Sequence, residues 1–278
     1  MKIEKATLIY FSPTLSTKKI LNAIVKGMNI EIKNEINLTI KSNRDKFEYN
    51  NKTDLLIIGV PVYGARIPKD LYPYLKAICG NNTPVALVTV FGNVSKGFAL
   101  NELYTLVSKR GFEVIAMGAF IGRHSFATEK APLAFDRPNI EDLQTAEIFG
   151  ENIIRKIQSI DKIEKKDIIH QCISSKIAGN FFNIFHTILP QNSNKTVIKE
   201  PIVDYNKCTK CKICVEGCPK QAINTDTLEI DMALCIGCFR CVRFCPEGAR
   251  KIVYKGDKFV RAFFNKENIM QKKAEIFI

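Results

Sequence analysis

In the first 160 residues, short apolar runs alternate with stretches whose apolar residues recur at helical spacing. The apolar runs predict five strands, at residues 5–11, 36–40, 54–60, 84–90 and 112–121. Apolar residues three or four apart predict helices at residues 18–28, 69–78, 98–110 and 140–160. Alternation of strand and helix is typical of a parallel sheet that is covered by helices on both faces.

Beyond residue 160 this alternation stops. A charged run at 162–167 leads into residues 168–189, whose spacing predicts an amphipathic helix that packs between domains. Four short apolar pieces predict the strands of a smaller domain, at residues 201–203, 222–224, 228–230 and 251–254. Residues 255–258 are predicted to turn, and 267–278 to form a terminal helix or extension. The predicted division of the chain is a first domain, a helical linker, a small domain and a C-terminal extension, at 1–160, 161–200, 201–255 and 256–278.

Eight of the ten cysteines belong to one motif that occurs twice with a period of 27 residues. Each copy reads Cys-x-x-Cys-x-x-Cys-x-x-x-Cys-Pro, starting at Cys208 and at Cys235. Three thiolates at this spacing can wrap one face of an iron–sulfur cube, while the fourth, next to proline, points elsewhere. Asp204 and Asp231 precede the two copies by four residues, so the repeat extends beyond the cysteines.

This spacing closely resembles that of bacterial two-cluster ferredoxins, in which the fourth cysteine of each motif binds the other cluster. The resemblance implies two 4Fe-4S clusters and a small α+β ferredoxin-like domain. One cluster would be held by Cys208, Cys211, Cys214 and Cys245. The second would be held by Cys235, Cys238, Cys241 and Cys218. Because about fifty residues bury little apolar surface, the clusters themselves are expected to cross-link this domain.

Zinc and disulfides are alternative roles for these cysteines. Zinc needs four ligands in a closed tetrahedron, commonly two Cys-x-x-Cys pairs, and two triplets that end in Cys-Pro fit that poorly. The first residues lack a signal-peptide cleavage site, so we expect a cytoplasmic protein whose thiols stay reduced. The other two cysteines, Cys79 and Cys172, stand in apolar surroundings and are predicted to be packing residues.

The loop after the first strand is rich in hydroxyl groups and leads directly into a helix. This arrangement presents backbone N–H groups and hydroxyls to an anion, and a phosphate would fit. The dinucleotide fingerprint Gly-x-Gly-x-x-Gly does not occur in this sequence. The candidate phosphate ligands are Ser12, Thr14, Ser16 and Thr17.

At these strand ends the first domain resembles a flavodoxin. The resemblance implies a five-stranded, doubly wound α/β sheet of order 2-1-3-4-5 that binds FMN beyond the carboxyl ends of strands 1 and 3. Flavodoxins usually have glycine where this chain has Leu15, so the backbone must turn with a side chain present. Tyr63 is the candidate for stacking on the flavin ring, the alternative being that Tyr63 and Phe91 only cap the sheet. Other ring contacts are expected from Pro61, Val62, Gly64, Phe91, Gly92 and Asn93.

The formal net charge of +13 suggests acidic partners. Basic residues cluster around the cysteine motifs and could steer an acidic redox partner protein, although they could equally form a solvated face. They are Lys207, Lys210, Lys212, Lys220, Arg240, Arg243, Arg250 and Lys251. No nucleic-acid-binding module accompanies the charge, and no segment is long and apolar enough to predict a membrane span.

The whole chain resembles the flavodoxin–ferredoxin fusion proteins of anaerobes, in which the loop at residues 123–126 recurs. That resemblance implies an iron–sulfur flavoprotein that passes single electrons through two 4Fe-4S clusters to or from FMN. Hydrogen bonds from the loops of Gly217 and Gly237 to sulfur would tune the clusters. Two alternatives remain open: an FMN-dependent reductase that uses Arg66, Arg123 and His124 on a small substrate, and a flavin-free ferredoxin with a scaffold domain.

Overall fold

The computed structural model describes residues 3–50, 53–159 and 197–278. Its strands are β1 (Lys5–Tyr10), β2 (Glu31–Asn37), β3 (Leu55–Pro61), β4 (Pro84–Phe91), β5 (Glu113–Ile121), β6 (Ile202–Val203), β7 (Arg250–Lys251) and β8 (Glu275–Phe277). Strands β1 to β5 pair in parallel in the order 2-1-3-4-5, which confirms the predicted flavodoxin-like sheet. A sixth strand, β8, pairs antiparallel with β5 at the edge of this sheet.

Helices cover both faces of the sheet. They are α1 (Ser16–Met28), α2 (Lys41–Asp45), α3 (Tyr72–Ala77), α4 (Ala99–Ser108), α5 (Ile140–Ser159), α6 (Ile213–Glu216), α7 (Arg240–Arg243) and α8 (Asp257–Ile269). Helices α1 and α5 pack on one face, and α3 and α4 on the other. Every residue of β3 and β4 is buried, as expected for central strands covered on both sides.

Glycines set the close approach of α1 to α5. A Cβ added at Gly27 would lie 1.9 Å from the Glu147 carbonyl oxygen, and one added at Gly150 would lie 2.1 Å from that of Ile24. The two helix backbones are therefore in contact, and neither position can carry a larger residue without separating the helices.

The second strand lies earlier in the chain than predicted. It spans Glu31–Asn37 rather than residues 36–40, and all of its residues are exposed or half-buried. Because β2 forms an edge of the sheet, it carries polar residues and lacks the continuous apolar run used to find the central strands.

The small domain has less regular structure than its sequence predicts. Strand β6 pairs antiparallel with β7, whereas the strands predicted at 222–224 and 228–230 reduce to a single bridge between Ile223 and Ile230. These two isoleucines and Ala222 form its small buried core. The amphipathic helix predicted at 168–189 and Cys172 lie outside the described residues.

The C-terminal residues return to the first domain. Helix α8 begins at Asp257, where a turn was predicted, and β8 then joins the sheet beside β5. The end of α8 and the segment after it bond to the first domain: Asn268 Oδ1 accepts from the Ala134 N–H over 2.9 Å, and Gln271 Oε1 accepts from Arg137 over 2.9 Å. Among the described residues, no helix has the length and apolar character to span a membrane.

Candidate functional site

The eight motif cysteines line two separate cavities of the small domain. The first cavity is lined by Cys208, Cys211, Cys214 and Cys245. The second cavity is lined by Cys218, Cys235, Cys238 and Cys241. Each cavity therefore combines three cysteines of one motif with the last cysteine of the other, which is the grouping implied by the ferredoxin resemblance.

The two motifs wind their loops in the same way. Lys210 and Lys212 in the first copy have left-handed backbones, as do Gly237 and Phe239, which stand 27 positions later in the second copy. Only one of the four is glycine, so three residues hold a conformation that side chains disfavour. Such strain persists only where the surrounding structure requires it. Here the strained residues lie between successive cysteines that face one cavity.

Backbone N–H groups point at several of the sulfur atoms. Ala222 donates to Cys218 Sγ over 3.3 Å and Ala249 donates to Cys245 Sγ over 3.3 Å, at equivalent positions of the repeat. Gly237 donates to Cys235 Sγ over 3.4 Å, as its predicted role requires, whereas Gly217 donates to the Ile213 carbonyl instead. Hydrogen bonds of this kind stabilise negative charge on thiolate ligands.

The donor set of both cavities fits an iron–sulfur cluster. Burial raises the pKa of the Cys241 thiol to about 12 and raises that of Cys238 further, so without a cation these thiols would stay protonated. A bound metal reverses this preference because a coordinating thiol is deprotonated. Within the described ranges, no three His, Cys, Asp or Glu side chains converge on a position for a single metal ion.

A larger cavity of about 550 Å³ opens at the carboxyl ends of β1, β3, β4 and β5. Its size is typical of small-molecule sites. From the predicted loops it is lined by Ser12, Thr14, Ser16, Thr17, Pro61, Val62, Tyr63, Gly64, Phe91 and Gly92. The residue types and the position of the cavity at the start of α1 fit a flavin phosphate and ring.

The loop before α1 turns at Leu15, the position where flavodoxins usually have glycine. Leu15 has φ 67°, and its N–H donates to the Ser12 carbonyl over 3.2 Å. Ser12 Oγ accepts from the Lys18 N–H over 3.0 Å, which holds the loop against the first turn of α1. The chain thus makes the glycine-type turn with a leucine, and stores backbone strain there.

Asn93 is the one predicted flavin contact that does not line this cavity. It is fully buried, and its amide donates to the carbonyls of Glu267 and Met270 over 2.9 and 3.1 Å. Its Oδ1 accepts from the Lys272 N–H over 3.0 Å. Asn93 therefore fixes the chain after α8, a role that sequence could not indicate because its partners are distant in the chain.

Helix α8 forms a wall of the cavity that the sequence did not predict. Phe259, Val260, Phe263 and Phe264 line it, together with Phe126 from the loop after β5. Apolar residues spaced four apart in this segment could have predicted an amphipathic helix, although the spacing does not show which surface the helix covers. Phe259 remains 78% exposed, so the wall reaches the protein surface.

The loop after β5 brings polar groups to the cavity. Arg123 stacks 3.5 Å from the Phe135 ring centre, and its Nε is buried without a hydrogen-bond partner. His124 Nδ1 accepts from the Phe126 N–H over 3.1 Å, which leaves the imidazole proton on Nε2. Burial, and secondly the charge of Arg243, lower the pKa of His124 to about 4. His124 is therefore a neutral hydrogen-bond donor at neutral pH.

The second cysteine cavity adjoins this larger cavity. Phe239, between two cysteines of the second motif, packs edge to face on Phe126, with ring centres 5.3 Å apart. Burial raises the pKa of Tyr63 well above its ordinary value, and the nearby Cys238 raises it further. Neither cysteine cavity shares a lining residue with the larger one, so the Phe239–Phe126 contact is what links the second cavity to it.

Several basic residues predicted at the surface of the small domain lie elsewhere. Arg240 and Arg243 face the first domain, Lys220 pairs with Asp70 over 2.5 Å, and Arg250 is buried. The exposed ones are Lys207, Lys210, Lys212 and Lys251. Cys79, predicted to be a packing residue, is also exposed, because the adjacent Ile78 takes the core position at this turn.

The chain thus joins a flavodoxin-like sheet to a small cysteine-rich ferredoxin domain, a combination that supports electron transfer. Residues 200–246 match the family model of the 4Fe-4S dicluster domain. The same region is 42% identical over 52 residues to the pyruvate synthase subunit PorD of Methanocaldococcus jannaschii, covering 18% of this chain and 60% of that subunit.

Two further similarities cover the two parts of the chain. The cysteine-rich region is 39% identical over 49 residues to the delta subunit of the NADH-dependent phenylglyoxylate dehydrogenase of Aromatoleum evansii, covering 17% of this chain and 53% of that subunit. The first domain is similar to the structure of oxidised flavodoxin 2 from Bacillus cereus, with a TM-score of 0.41 and 16% identity over 55% of this chain and 99% of that one. The chain spans less than two thirds of both dehydrogenase and synthase subunits.

Proposed function

We propose that this protein is an electron-transfer iron–sulfur flavoprotein. In this proposal two 4Fe-4S clusters pass single electrons to or from FMN bound in the large cavity of the first domain. The cysteines of the first and second cavities hold one cluster each, and the loops after β1, β3 and β4 hold FMN. A cluster carries one electron at a time whereas a flavin carries one or two, so joining them allows electrons to be collected singly and used as a pair.

The observation that carries the proposal is the contact between the second cysteine cavity and the flavin cavity. Phe239 lines the former and Phe126 the latter, and their rings pack edge to face with centres 5.3 Å apart. Since this contact is made by the second cysteine cavity, the proposed order of transfer is first cluster, second cluster and FMN, in either direction. Covalent linkage of all three sites replaces diffusional encounter by a fixed, high effective concentration.

The external partner is expected to dock at the first cysteine cavity. The loop at residues 205–213 is exposed except at Cys208 and includes Cys211, so this cavity is close to the surface. Lys207, Lys210 and Lys212 surround it, and Tyr205 and Ile213 add exposed apolar surface. An acidic redox protein fits this combination of positive charge and apolar contacts.

Anaerobic purification followed by iron and flavin analysis tests the proposal. We expect about eight irons and one FMN per chain. Cys245→Ser and Cys218→Ser should each remove one cluster and leave about four irons, because each cysteine belongs to a different cavity. Cys79→Ser, which changes an exposed cysteine outside both cavities, is the matched control and should keep all eight irons.

Two outcomes would contradict parts of the proposal. Fewer than about eight irons in the wild-type protein, after reconstitution, would exclude two 4Fe-4S clusters. A protein that has full iron content, contains no FMN as purified and does not bind added FMN would instead support the flavin-free ferredoxin with a scaffold domain.

A second candidate function is reduction of a small substrate at the flavin, and the wall formed by α8 favours it. Phe259, Phe263 and Phe264 cover a side of the cavity that a protein partner would otherwise approach, while His124 offers a neutral N–H donor inside. The test is the rate at which small acceptors reoxidise the reduced protein, with and without an excess of an acidic redox protein that docks at the first cysteine cavity. Equal rates would support this function. Reoxidation only by a protein acceptor would exclude it.

A further inference from the structure

The two halves of the ferredoxin repeat differ at one buried position. Ala222 and Ala249 are equivalent, since each donates to the last cysteine of its own motif. The next residue is Ile223 in the first half and Arg250 in the second, again 27 positions apart. Ile223 is 5% exposed and Arg250 is 3% exposed, so a buried apolar side chain is replaced by a buried guanidinium.

Arg250 lines the first cysteine cavity, whereas Ile223 lines the second. One guanidinium nitrogen of Arg250, Nη2, donates to the Leu228 carbonyl over 2.6 Å. The other, Nη1, is buried and has no hydrogen-bond partner. Among the described residues Arg250 forms no ion pair with a carboxylate.

A buried, unpaired charge is costly unless something neutralises it. Four thiols line the same cavity, and the thiolate-ligated iron–sulfur cluster proposed to bind there is negative. In the proposed function, the cluster in this cavity supplies the counter-charge that Arg250 otherwise lacks. The hydrogen bond to Leu228 explains the orientation of the side chain but does not explain why a cation is buried there.

We propose that Arg250 gives the two clusters different reduction potentials, by raising the potential of the cluster held by Cys208, Cys211, Cys214 and Cys245. This inference rests on the proposed function, since it requires both clusters. Reduction adds one electron to a cluster, taken from a one-electron protein donor that is oxidised in the same step, and no bond is formed or broken. A fixed positive charge favours the reduced, more negative cluster.

The second cluster is expected to respond less to the same charge. The charge of Arg250 also acts on Cys241, which belongs to the second cavity. However, Arg250 lines only the first cavity, and electrostatic interaction weakens with distance. The cluster near the exposed loop at 205–213 is thus the better electron acceptor, and the cluster beside the flavin cavity is the stronger reductant.

The test is an anaerobic redox titration of the holoprotein, followed by electron paramagnetic resonance, for the wild type and four variants. Arg250→Gln removes the charge and keeps a donor for the Leu228 carbonyl. Arg250→Ile copies the residue of the other half, and Arg250→Lys keeps the charge. Arg155→Gln removes a positive charge from the exposed face of α5 and is the control for net charge.

We expect the higher of the two midpoint potentials to fall in the Gln and Ile variants. A tenfold loss in the preference for the reduced cluster corresponds to 59 mV for one electron. Arg250→Lys and Arg155→Gln should keep the wild-type separation of the two midpoints. Iron content is measured for each protein, so that a potential is compared only between proteins with eight irons.

Unchanged midpoints in a Gln or Ile variant that keeps its iron would overturn the inference. So would loss of iron from all three Arg250 variants, because Arg250 would then hold the fold rather than tune a cluster. A wild-type protein with fewer than eight irons would instead refute the proposed function, which separates the two failures.

Discussion

Arg240 Nη1 donates to the Pro13 carbonyl oxygen over 2.5 Å, and this bond joins the second cysteine motif to the loop before α1. Its guanidinium also stacks 4.5 Å from the Phe244 ring centre. On the other side of the same junction, Arg44 of the first domain donates to the carbonyl of Pro219, which follows the first motif. In each domain, an arginine thus donates to a backbone carbonyl of the other domain, next to a candidate cofactor loop.

Arg240→Ala is expected to loosen the loop at residues 12–17. A hydrogen bond from a charged donor contributes about 1.5–3 kcal/mol, so we expect FMN to bind roughly tenfold more weakly or worse. Fluorescence titration of the apo-flavin protein with FMN measures this change, and hydrogen exchange of the loop amides should rise with it. Arg155→Ala, on the exposed face of α5, is the matched control. Equal FMN affinity in both variants would show that the loop does not depend on the small domain.

Leu15→Gly is expected to stabilise the protein relative to Leu15→Ala. Both variants remove the 38% exposed side chain, but alanine keeps the Cβ that disfavours φ 67°. Glycine relieves the left-handed strain but loses more backbone entropy on folding than alanine. We therefore expect the free energy of unfolding of Leu15→Gly to exceed that of Leu15→Ala by about 1 kcal/mol. Chemical denaturation of the two variants measures it. Equal stability would mean that the turn carries no strain.

Gly92→Ala is expected to displace His124. The added Cβ would lie 2.5 Å from His124 Cδ2, and the imidazole is held between Phe126 and Phe264, with ring centres 5.0 Å from each. Overpacking of this kind costs about 1–3 kcal/mol. Thermal denaturation should show the loss, and adding His124→Ala should recover part of it, because the ring that clashes is then absent. No recovery in the double variant would place the strain elsewhere.

The parts of the site predicted from sequence are those set by local spacing. The spacing of the two cysteine motifs places three thiols of each within one short loop, whereas the place of each fourth cysteine in the other cavity was implied by the ferredoxin resemblance. The central strands were also predictable, since burial on both faces leaves a continuous apolar run. The cavity residues of the loops after β1 and β3 followed from the same sheet order.

The parts that sequence did not predict depend on contacts between distant residues. Strand β8 has only three residues, Glu275–Phe277, and belongs to the sheet because it pairs with β5. Its local sequence therefore does not predict that it joins the sheet. The role of Asn93 and the wall formed by α8 follow from that return of the chain. Arg250 was grouped with surface basic residues because a charged side chain is seldom buried, and here the cysteine cavity is what accepts it.

The neutral His124 predicts a loss of stability at mildly acidic pH. Burial lowers its folded-state pKa to about 4, with the charge of Arg243 acting in the same direction, against 6.5 in the unfolded chain. Between these values the unfolded chain binds a proton that the folded protein does not, so the free energy of unfolding falls as pH drops from 6.5 towards 4. The effect should not exceed about 2 kcal/mol, because the half-buried ring keeps some solvation through the cavity. Denaturation midpoints of wild type and His124→Gln across this range isolate the histidine, since other titrating groups are common to both. The wild type should lose stability faster than the variant below pH 6.5, and parallel curves would show that His124 is protonated as readily in the folded protein as in the unfolded chain.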